Sequence, residues 1–133
     1  MKLFLDSSII IEFLKGNEKV KAIMAEAEAM YTDTLCAYEV LTGEKYNELK
    51  GLKSSYIHAS LFFAHIETMP MNYSDAMKSA DVAAKLIIKG KKVDDVDIII
   101  AIHALEKGAA VFTKDGKHFK VLEAEFGIPI RVL

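Results

Sequence analysis

The chain has 133 residues, of which 52% are hydrophobic, and its formal net charge is −2. This length suits one compact domain with a substantial hydrophobic core, and we predict a single domain over residues 1–133. A net charge so close to zero excludes a strongly basic coat for nonspecific nucleic-acid binding, although it leaves room for local basic patches.

Two features of the sequence indicate a cytoplasmic protein without a membrane partner. Cys36 is the only cysteine, so no internal disulfide can form, as is usual in a reducing compartment. We expect it to be a small buried hydrophobic residue. The apolar run at the N-terminus is too short for a signal peptide. No stretch approaches the roughly 18 apolar residues that a transmembrane helix needs.

Strands and helices are predicted to alternate along the chain. In order, the pattern predicts a strand at 2–5, a helix begun by Ser7 or Ser8 and ended by Gly16, a helix at 20–27, a strand at 30–35, and helices at 37–50 and 54–63. It then predicts a weak strand at 65–70, a helix from Ser74 to Gly90, a helix from Asp94 or Asp95 to Gly108, a strand at 109–113, a short helix at 119–125 and a strand at 128–133.

This alternation predicts an α/β domain of three layers. We expect a mostly parallel central sheet of four or five strands flanked by helices. In such sheets ligands bind outside the carboxyl ends of the strands. Asp6 and Asp115 follow predicted strands, whereas Glu39 and Asp97 lie early in predicted helices, with Glu39 in or near a first turn. Strand ends and helix starts share one edge of the sheet, so all four acids are predicted to converge there.

Converging carboxylates need a cation. Two of them about 4 Å apart repel each other by roughly 4 kcal/mol at an effective dielectric near 20. A divalent ion with a preference for oxygen ligands, Mg²⁺ or Mn²⁺, removes that repulsion. For Asp97 there is a second reason to expect a bound cation or a partner, because the helix that follows it is apolar on all sides. A buried carboxylate there would need an ion or a partner. Taken singly, each acid is better explained as surface charge, and Asp6 can also be a simple helix cap.

Four segments of the chain together resemble the PIN-domain nucleases, and among them the small VapC-like toxins. They are Leu3-Phe4-Leu5-Asp6-Ser7-Ser8, Glu39-Val40-Leu41-Thr42-Gly43, Asp97-Ile98-Ile99-Ile100-Ala101, and Val111-Phe112-Thr113-Lys114-Asp115 with Phe119. The resemblance covers nearly the whole chain, in order and at the family's spacing. One departure is His118, which stands where many members have a second acid before the phenylalanine.

The resemblance implies Mg²⁺- or Mn²⁺-dependent cleavage of RNA by the toxin of a toxin–antitoxin pair. It implies that Asp6, Glu39 and Asp97 hold the principal metal ion and that Asp115 binds it through water or serves a second ion. Ser8, Thr113 and Asp95 are expected to be supporting polar residues, and Asp94 is a further candidate. A homodimer and a small cognate antitoxin are the implied partners. An RNA-processing nuclease of the same fold, or a noncatalytic metal- or RNA-binding module, stays open as an alternative.

The remaining histidines and lysines carry weaker expectations. His103 lies on the apolar helix and is expected to be a hydrogen-bonded core residue. His58, His65 and His118 lack the spacing of metal ligands, which disfavours a zinc site. Two lysine clusters are candidates for contact with phosphates, although a solvated face explains each as well. They are Lys85, Lys89, Lys91 and Lys92, and Lys114, Lys117 and Lys120.

Large apolar residues are dense between Tyr38 and Phe63. Core packing explains many of them. A chain of this size does not bury them all, so we expect part of this segment to form a partner groove or a dimer face.

Overall fold

Five strands and seven helices alternate in the computed structural model, which describes residues 1–133. The strands are β1 (Lys2–Leu5), β2 (Ala29–Asp33), β3 (Glu67–Met69), β4 (Ala110–Thr113) and β5 (Ile130–Val132). The helices are α1 (Ser7–Leu14), α2 (Glu18–Ala25), α3 (Thr34–Leu49), α4 (Tyr56–His65), α5 (Tyr73–Ile88), α6 (Asp95–Lys107) and α7 (Lys117–Phe126). None of these helices has the length and hydrophobicity needed to cross a bilayer.

The strands form one fully parallel sheet in the order β3-β2-β1-β4-β5. This confirms the predicted three-layer α/β fold with a parallel central sheet. The two central strands, β1 and β4, are almost entirely buried, which explains why both read as continuous apolar runs. The strand order reverses between β1 and β4, and a reversal of this kind marks the position where open α/β sheets bind ligands.

Helix α6 lies at the centre of the core. It packs against α5, α7 and the strands β1, β2 and β4. Ile98, Ile100, Ala101 and Ala104 on this helix are buried together with Phe4 and Phe112 of the sheet. The helix is therefore enclosed on most sides, as its apolar composition predicts, and it ends at Gly108, which adopts a left-handed φ of 62°.

Two helices have an aspartate as N-cap, and their caps or bounds differ from the predicted ones. The cap of α1 is Asp6, whose side chain accepts a hydrogen bond from the Ser7 backbone, so the prediction of Ser7 or Ser8 as the cap is wrong. Asp33 caps α3 by accepting from the Cys36 backbone, and β2 therefore ends at Asp33 instead of residue 35. Because α3 begins at Thr34, Glu39 lies in its second turn. Helix α5 is likewise capped by Asn72, not Ser74.

The predicted core histidine is enclosed between two carboxylates. His103 is 0% exposed, its Nδ1 lies 2.8 Å from Asp33 Oδ2, and its Nε2 lies 3.0 Å from Asp75 Oδ2. Burial alone would lower the pKa of His103, but the hydrogen bonds to Asp33 and Asp75 outweigh it and raise that pKa above its ordinary value of 6.5. The neighbouring Glu106 carboxyl makes the largest contribution that lowers the pKa of Asp75 to about 2, and hydrogen bonds with the Asn72 backbone and His103 add to it.

These shifts predict how stability depends on pH. The raised pKa of His103 contributes stability that is fully present below about pH 6.5 and is lost as pH rises through the folded-state pKa. The depressed pKa of Asp75 contributes stability that is present above pH 3.8 and is lost as pH falls towards about 2. In urea unfolding between about pH 3 and 9, the alkaline decline should be visible in the parent chain and absent from His103→Gln. An unchanged decline in that variant would contradict this assignment, and His58→Gln, at an exposed position, is the control.

Candidate functional site

The carboxyl ends of β1 and β4 bring Asp6 and Thr113 together. Leu5 pairs with Phe112 across these strands, so the next residue on each strand lies at the same edge. The Thr113 hydroxyl donates to Asp6 Oδ2 at 2.8 Å, and the Asp6 backbone donates to the Phe112 carbonyl at 3.1 Å. Asp6 is only 8% exposed. Its carboxylate is therefore held in one orientation at the reversal point of the sheet.

Serine hydroxyls complete the surroundings of Asp6. The Ser8 hydroxyl donates to Asp6 Oδ2 at 3.0 Å and accepts a hydrogen bond from the Lys114 backbone, also at 3.0 Å. The Ser7 backbone donates to the other oxygen, Oδ1, at 2.7 Å. Ser8 thus links the start of α1 to the segment after β4, and with Thr113 it fixes the carboxylate from two sides.

Glu39 and Asp97 face Asp6 from two helices. The Glu39 carboxyl loses part of its hydration, and this loss together with the charges of Asp6 and Asp97 raises its pKa. Burial raises the pKa of Asp97, the charge of Asp6 adds to the effect, and a hydrogen bond with His118 opposes it. Each carboxylate of this trio thus lies in the electrostatic field of another. A pocket of this kind favours a bound cation.

His118 is the partner of Asp97. Its Nδ1 lies 2.8 Å from Asp97 Oδ2 and 3.4 Å from Asp94 Oδ2. One ligand atom from each of these three residues lies within 4.8 Å of the others, an arrangement that is compatible with metal binding. The spacing of His118 along the chain did not indicate this proximity to Asp94 and Asp97. The expectation that Asp97 requires a partner is confirmed by this contact. The signal in the sequence was the position of His118 directly before Phe119.

Asp115 and Asp95 lie further from this trio. Asp115 is exposed, and its carboxylate accepts from the Lys117 backbone at 3.2 Å. It is connected to Asp6 through Thr113, whose hydroxyl also lies 3.2 Å from the Asp115 carbonyl. Asp95 lines a groove between α5 and α6 with Ala83 and Ile98. Residues two apart on a helix point in different directions, so this position turns Asp95 away from Asp97.

The two lysine clusters differ in their ion pairs. In the first, Lys85 pairs with Asp81, while Lys89 and Lys91 both pair with Glu125. In the second, Lys114 pairs with Glu12 at 2.8 Å. Lys117 and Lys120 are exposed and form no ion pair. They follow Asp115 closely in the chain, and they are the unpaired lysines of the cluster that contains this acid.

Comparison with known proteins identifies the family. The model of the PIN domain family matches residues 3–124. The chain belongs to the PIN domain family. The matched region contains Asp6, Glu39, Asp97 and Asp115, together with the ends of β1 and β4 where Asp6 and Thr113 meet.

Relatives of this PIN domain are named as ribonucleases. The chain is 26% identical to Ribonuclease VapC19 of Mycobacterium tuberculosis over 123 residues, which cover 90% of this chain and 92% of that protein. It is 28% identical over 129 residues to Ribonuclease VapC1 of Methanocaldococcus jannaschii, covering 97% of this chain and 86% of that protein.

Solved structures share the fold over the full length. VapBC from Salmonella typhimurium bound to DNA aligns with a TM-score of 0.79 at 22% identity, covering 99% of this chain and 98% of that chain. VapBC2 from Rickettsia felis, bound to a fragment of its promoter, aligns with a TM-score of 0.78 at 16% identity, covering 100% and 99%. At these identities the likeness concerns the fold.

The donor set of this PIN domain suits a hard divalent cation. The side chains around the sheet edge offer carboxylate and hydroxyl oxygens, which Mg²⁺ and Mn²⁺ prefer. No cysteine lies among them, since Cys36 is fully buried in the first turn of α3. Burial first, and then the charge of Asp6, raise the pKa values of both Glu39 and Asp97, which is the electrostatic condition that favours a cation at this edge.

Removal of one carboxylate should stabilise the metal-free domain. At neutral pH, ionised Glu39 is repelled by Asp6 and Asp97 in the folded state only. We expect Glu39→Gln to raise the Tm in EDTA by about 2 °C, a small effect because the residue is partly exposed. With Mg²⁺ added, the parent should gain Tm and the variant should gain less. Differential scanning calorimetry measures both.

Glu48→Gln is the matched control on the same helix. Glu48 is exposed and pairs with Lys45 at 2.8 Å, so its neutralisation removes an attraction and should not raise the Tm. A lower Tm for Glu39→Gln in EDTA would show that repulsion at this edge is not significant.

Proposed function

We propose that this PIN domain is a Mg²⁺- or Mn²⁺-dependent endoribonuclease and the toxin of a type II toxin–antitoxin pair, acting in the cytoplasm. The observation that carries the proposal is the convergence of Asp6, Glu39 and Asp97 at the β1–β4 reversal, where each lies in the field of another. The names of the relatives as ribonucleases, and of the structural neighbours as VapBC complexes, support it.

In this proposal Asp6, Glu39 and Asp97 bind the principal metal ion. Asp115 binds it through water or serves a second ion. Bound there, Mg²⁺ or Mn²⁺ would lower the pKa of a water molecule and neutralise charge on the leaving oxygen of a phosphodiester.

Neighbouring side chains keep the proposed ligands in position. Ser8 and Thr113 hold Asp6 Oδ2 by hydrogen bonds of 3.0 and 2.8 Å. His118 holds Asp97 Oδ2 in the same way. Partners of this kind orient metal ligands and commonly contribute about 10- to 100-fold to metal affinity.

RNA would approach over the segment that follows β4. Lys117 and Lys120 are exposed beside Asp115 and are free of ion pairs. Their ammonium groups are therefore available to phosphates. The cluster at and after the end of α5 is a weaker candidate, because Glu125 and Asp81 already neutralise three of its lysines.

The antitoxin and a second copy of the chain are the proposed protein partners. As expected from composition, part of the apolar segment on α3 and α4 is exposed. Tyr38, Leu49 and Ile57 are 71%, 78% and 72% exposed. Exposed apolar surface of this extent is typical of a protein interface. Co-purification with the product of an adjacent gene tests the antitoxin, and sedimentation equilibrium tests the dimer.

Substitution of a proposed ligand should abolish cleavage. We expect purified Asp6→Asn and Asp97→Asn to cleave a mixed-sequence RNA at least about 100-fold more slowly than the parent, and EDTA to stop the parent reaction. The matched control is Asp95→Asn, which changes the same chemical group two positions from Asp97 but on the face towards α5. It should retain activity.

Cleavage by Asp6→Asn or Asp97→Asn at the parent rate would refute the metal-site assignment. Metal binding by a parent chain that never cleaves RNA would favour a noncatalytic module. Far-UV circular dichroism confirms that each variant is folded before its rate is compared.

The free lysines should determine RNA affinity. In an Asp97→Asn background, Lys117→Ala with Lys120→Ala is expected to weaken RNA binding and to lower the slope of log affinity against log salt by about 1 to 2. Lys89→Ala with Lys91→Ala, the ion-paired set on the α5 side, should leave the slope unchanged. Fluorescence anisotropy at several salt concentrations measures both, and equal effects of the two double variants would contradict the assignment.

A further inference from the structure

One buried imidazole joins the starts of two helices to the middle of a third. Asp33, which caps α3, accepts from His103 Nδ1 at 2.8 Å. Asp75, in the first turn of α5, accepts from His103 Nε2 at 3.0 Å. His103 itself belongs to α6, and none of the three side chains is more than 2% exposed. We call this group the His103 joint.

Both ring nitrogens of His103 must donate hydrogen bonds. Each faces a carboxylate oxygen, and a neutral imidazole has only one N–H, so an ionised pair of aspartates requires the imidazolium. The second oxygen of Asp75, Oδ1, is buried without a hydrogen-bond partner. Burial and the proximity of Asp75 raise the pKa of Glu106, which contacts Lys78 at 3.3 Å. The two hydrogen bonds of His103 leave Asp33 and Asp75 little freedom to move.

The joint is separated by the same number of residues from two of the proposed ligands. Glu39 lies six positions after Asp33 on α3, and Asp97 lies six positions before His103 on α6. Six helical residues span about 9 Å. The main packing neighbours of α3 are α1, α4, β2 and β3, whereas those of α6 are α5, α7, β1, β2 and β4. Of these neighbours only β2 is shared, and Asp33 is the last residue of that strand, so its contact with His103 connects α6 to the start of α3 at the end of β2.

We propose that His103 is a positioning residue, which through its hydrogen bond to Asp33 sets the distance between Glu39 on α3 and Asp97 on α6. This inference rests on the proposed metal site and adds to it a residue that touches neither metal nor substrate. When the bond is absent, the start of α3 is held only by its cap and by the sheet. Glu39 then occupies a wider range of positions relative to Asp97, and the affinity for the metal falls.

Two variants of Asp33 separate this role from a general contribution to stability. Asp33→Asn and Asp33→Ser are both uncharged, and both residue types are good helix caps. The Asn side chain still reaches His103, because its amide N–H donates to Nδ1 while Nε2–H continues to donate to Asp75. The Ser side chain is too short to do so. The two variants therefore differ in whether residue 33 bonds to His103, and not in the charge of residue 33 or in its capping of α3.

The experiment measures Mn²⁺ affinity by isothermal titration calorimetry on the full chain, with the Tm in EDTA measured in parallel. Asp33→Asn should bind Mn²⁺ within about threefold of the parent, and Asp33→Ser about tenfold more weakly. Met24→Ala on α2 removes a buried side chain far from the joint, and it should lower the Tm without changing the affinity. Titrations are made at a temperature where every variant is folded by circular dichroism.

Equal affinities for Asp33→Ser and Asp33→Asn would overturn the proposal, whatever their Tm values, because a purely structural group changes stability alone. If Asp33→Ser does not fold, His103→Gln against His103→Asn replaces it. The longer Gln side chain reaches Asp33 better and should retain more affinity, and equal values again overturn the proposal. Loss of Mn²⁺ binding in Asp97→Asn with no effect at position 33 leaves the proposed function standing and removes this inference. A parent chain that binds no Mn²⁺ removes both.

Discussion

Repulsion among carboxylates at one edge of a parallel sheet is the constraint around which this domain is organised. The β1–β4 pairing fixes Asp6 beside Thr113, and two helices bring Glu39 and Asp97 towards the same point. A concentration of like charge opposes folding unless hydrogen bonds or a cation offset it. The protein provides donors from Ser7, Ser8 and Thr113, and they are directed at Asp6. The net negative charge that remains is what a divalent cation would neutralise in the proposed nuclease.

Two histidines balance acids in two different settings. His103 is fully buried and lies between Asp33 and Asp75, where its positive charge makes two buried carboxylates tolerable. His118 is at the open edge, where it holds Asp97 and lies near Asp94. His103 therefore helps to hold the helices in place, whereas His118 lies in the candidate site. His103 lies on α6, and His118 contacts Asp97 on the same helix, so α6 connects the buried histidine to the proposed metal site.

The family relationship and the geometry support different parts of the conclusion. The match to the PIN domain extends from residue 3 to residue 124 and accounts for the topology. It does not account for the particular acids that lie together. Asp95 follows Asp94 in the sequence, yet it turns into the groove between α5 and α6. The choice between the two lysine clusters also depends on geometry, because Glu125 reaches across from α7 to neutralise Lys89 and Lys91.

The sequence by itself determined the fold class, the order of the elements and three acids at the starts of α1 and α6 and within α3. Local rules suffice for this, since apolar periodicity, glycine stops and polar residues at strand ends act over a few residues. Tertiary structure alone decided that Asp33 and Asp75 meet His103, and that His118 meets Asp97. These partners are 70, 28 and 21 positions apart along the chain. No local pattern encodes such distances, because they are fixed by how the helices pack across the sheet.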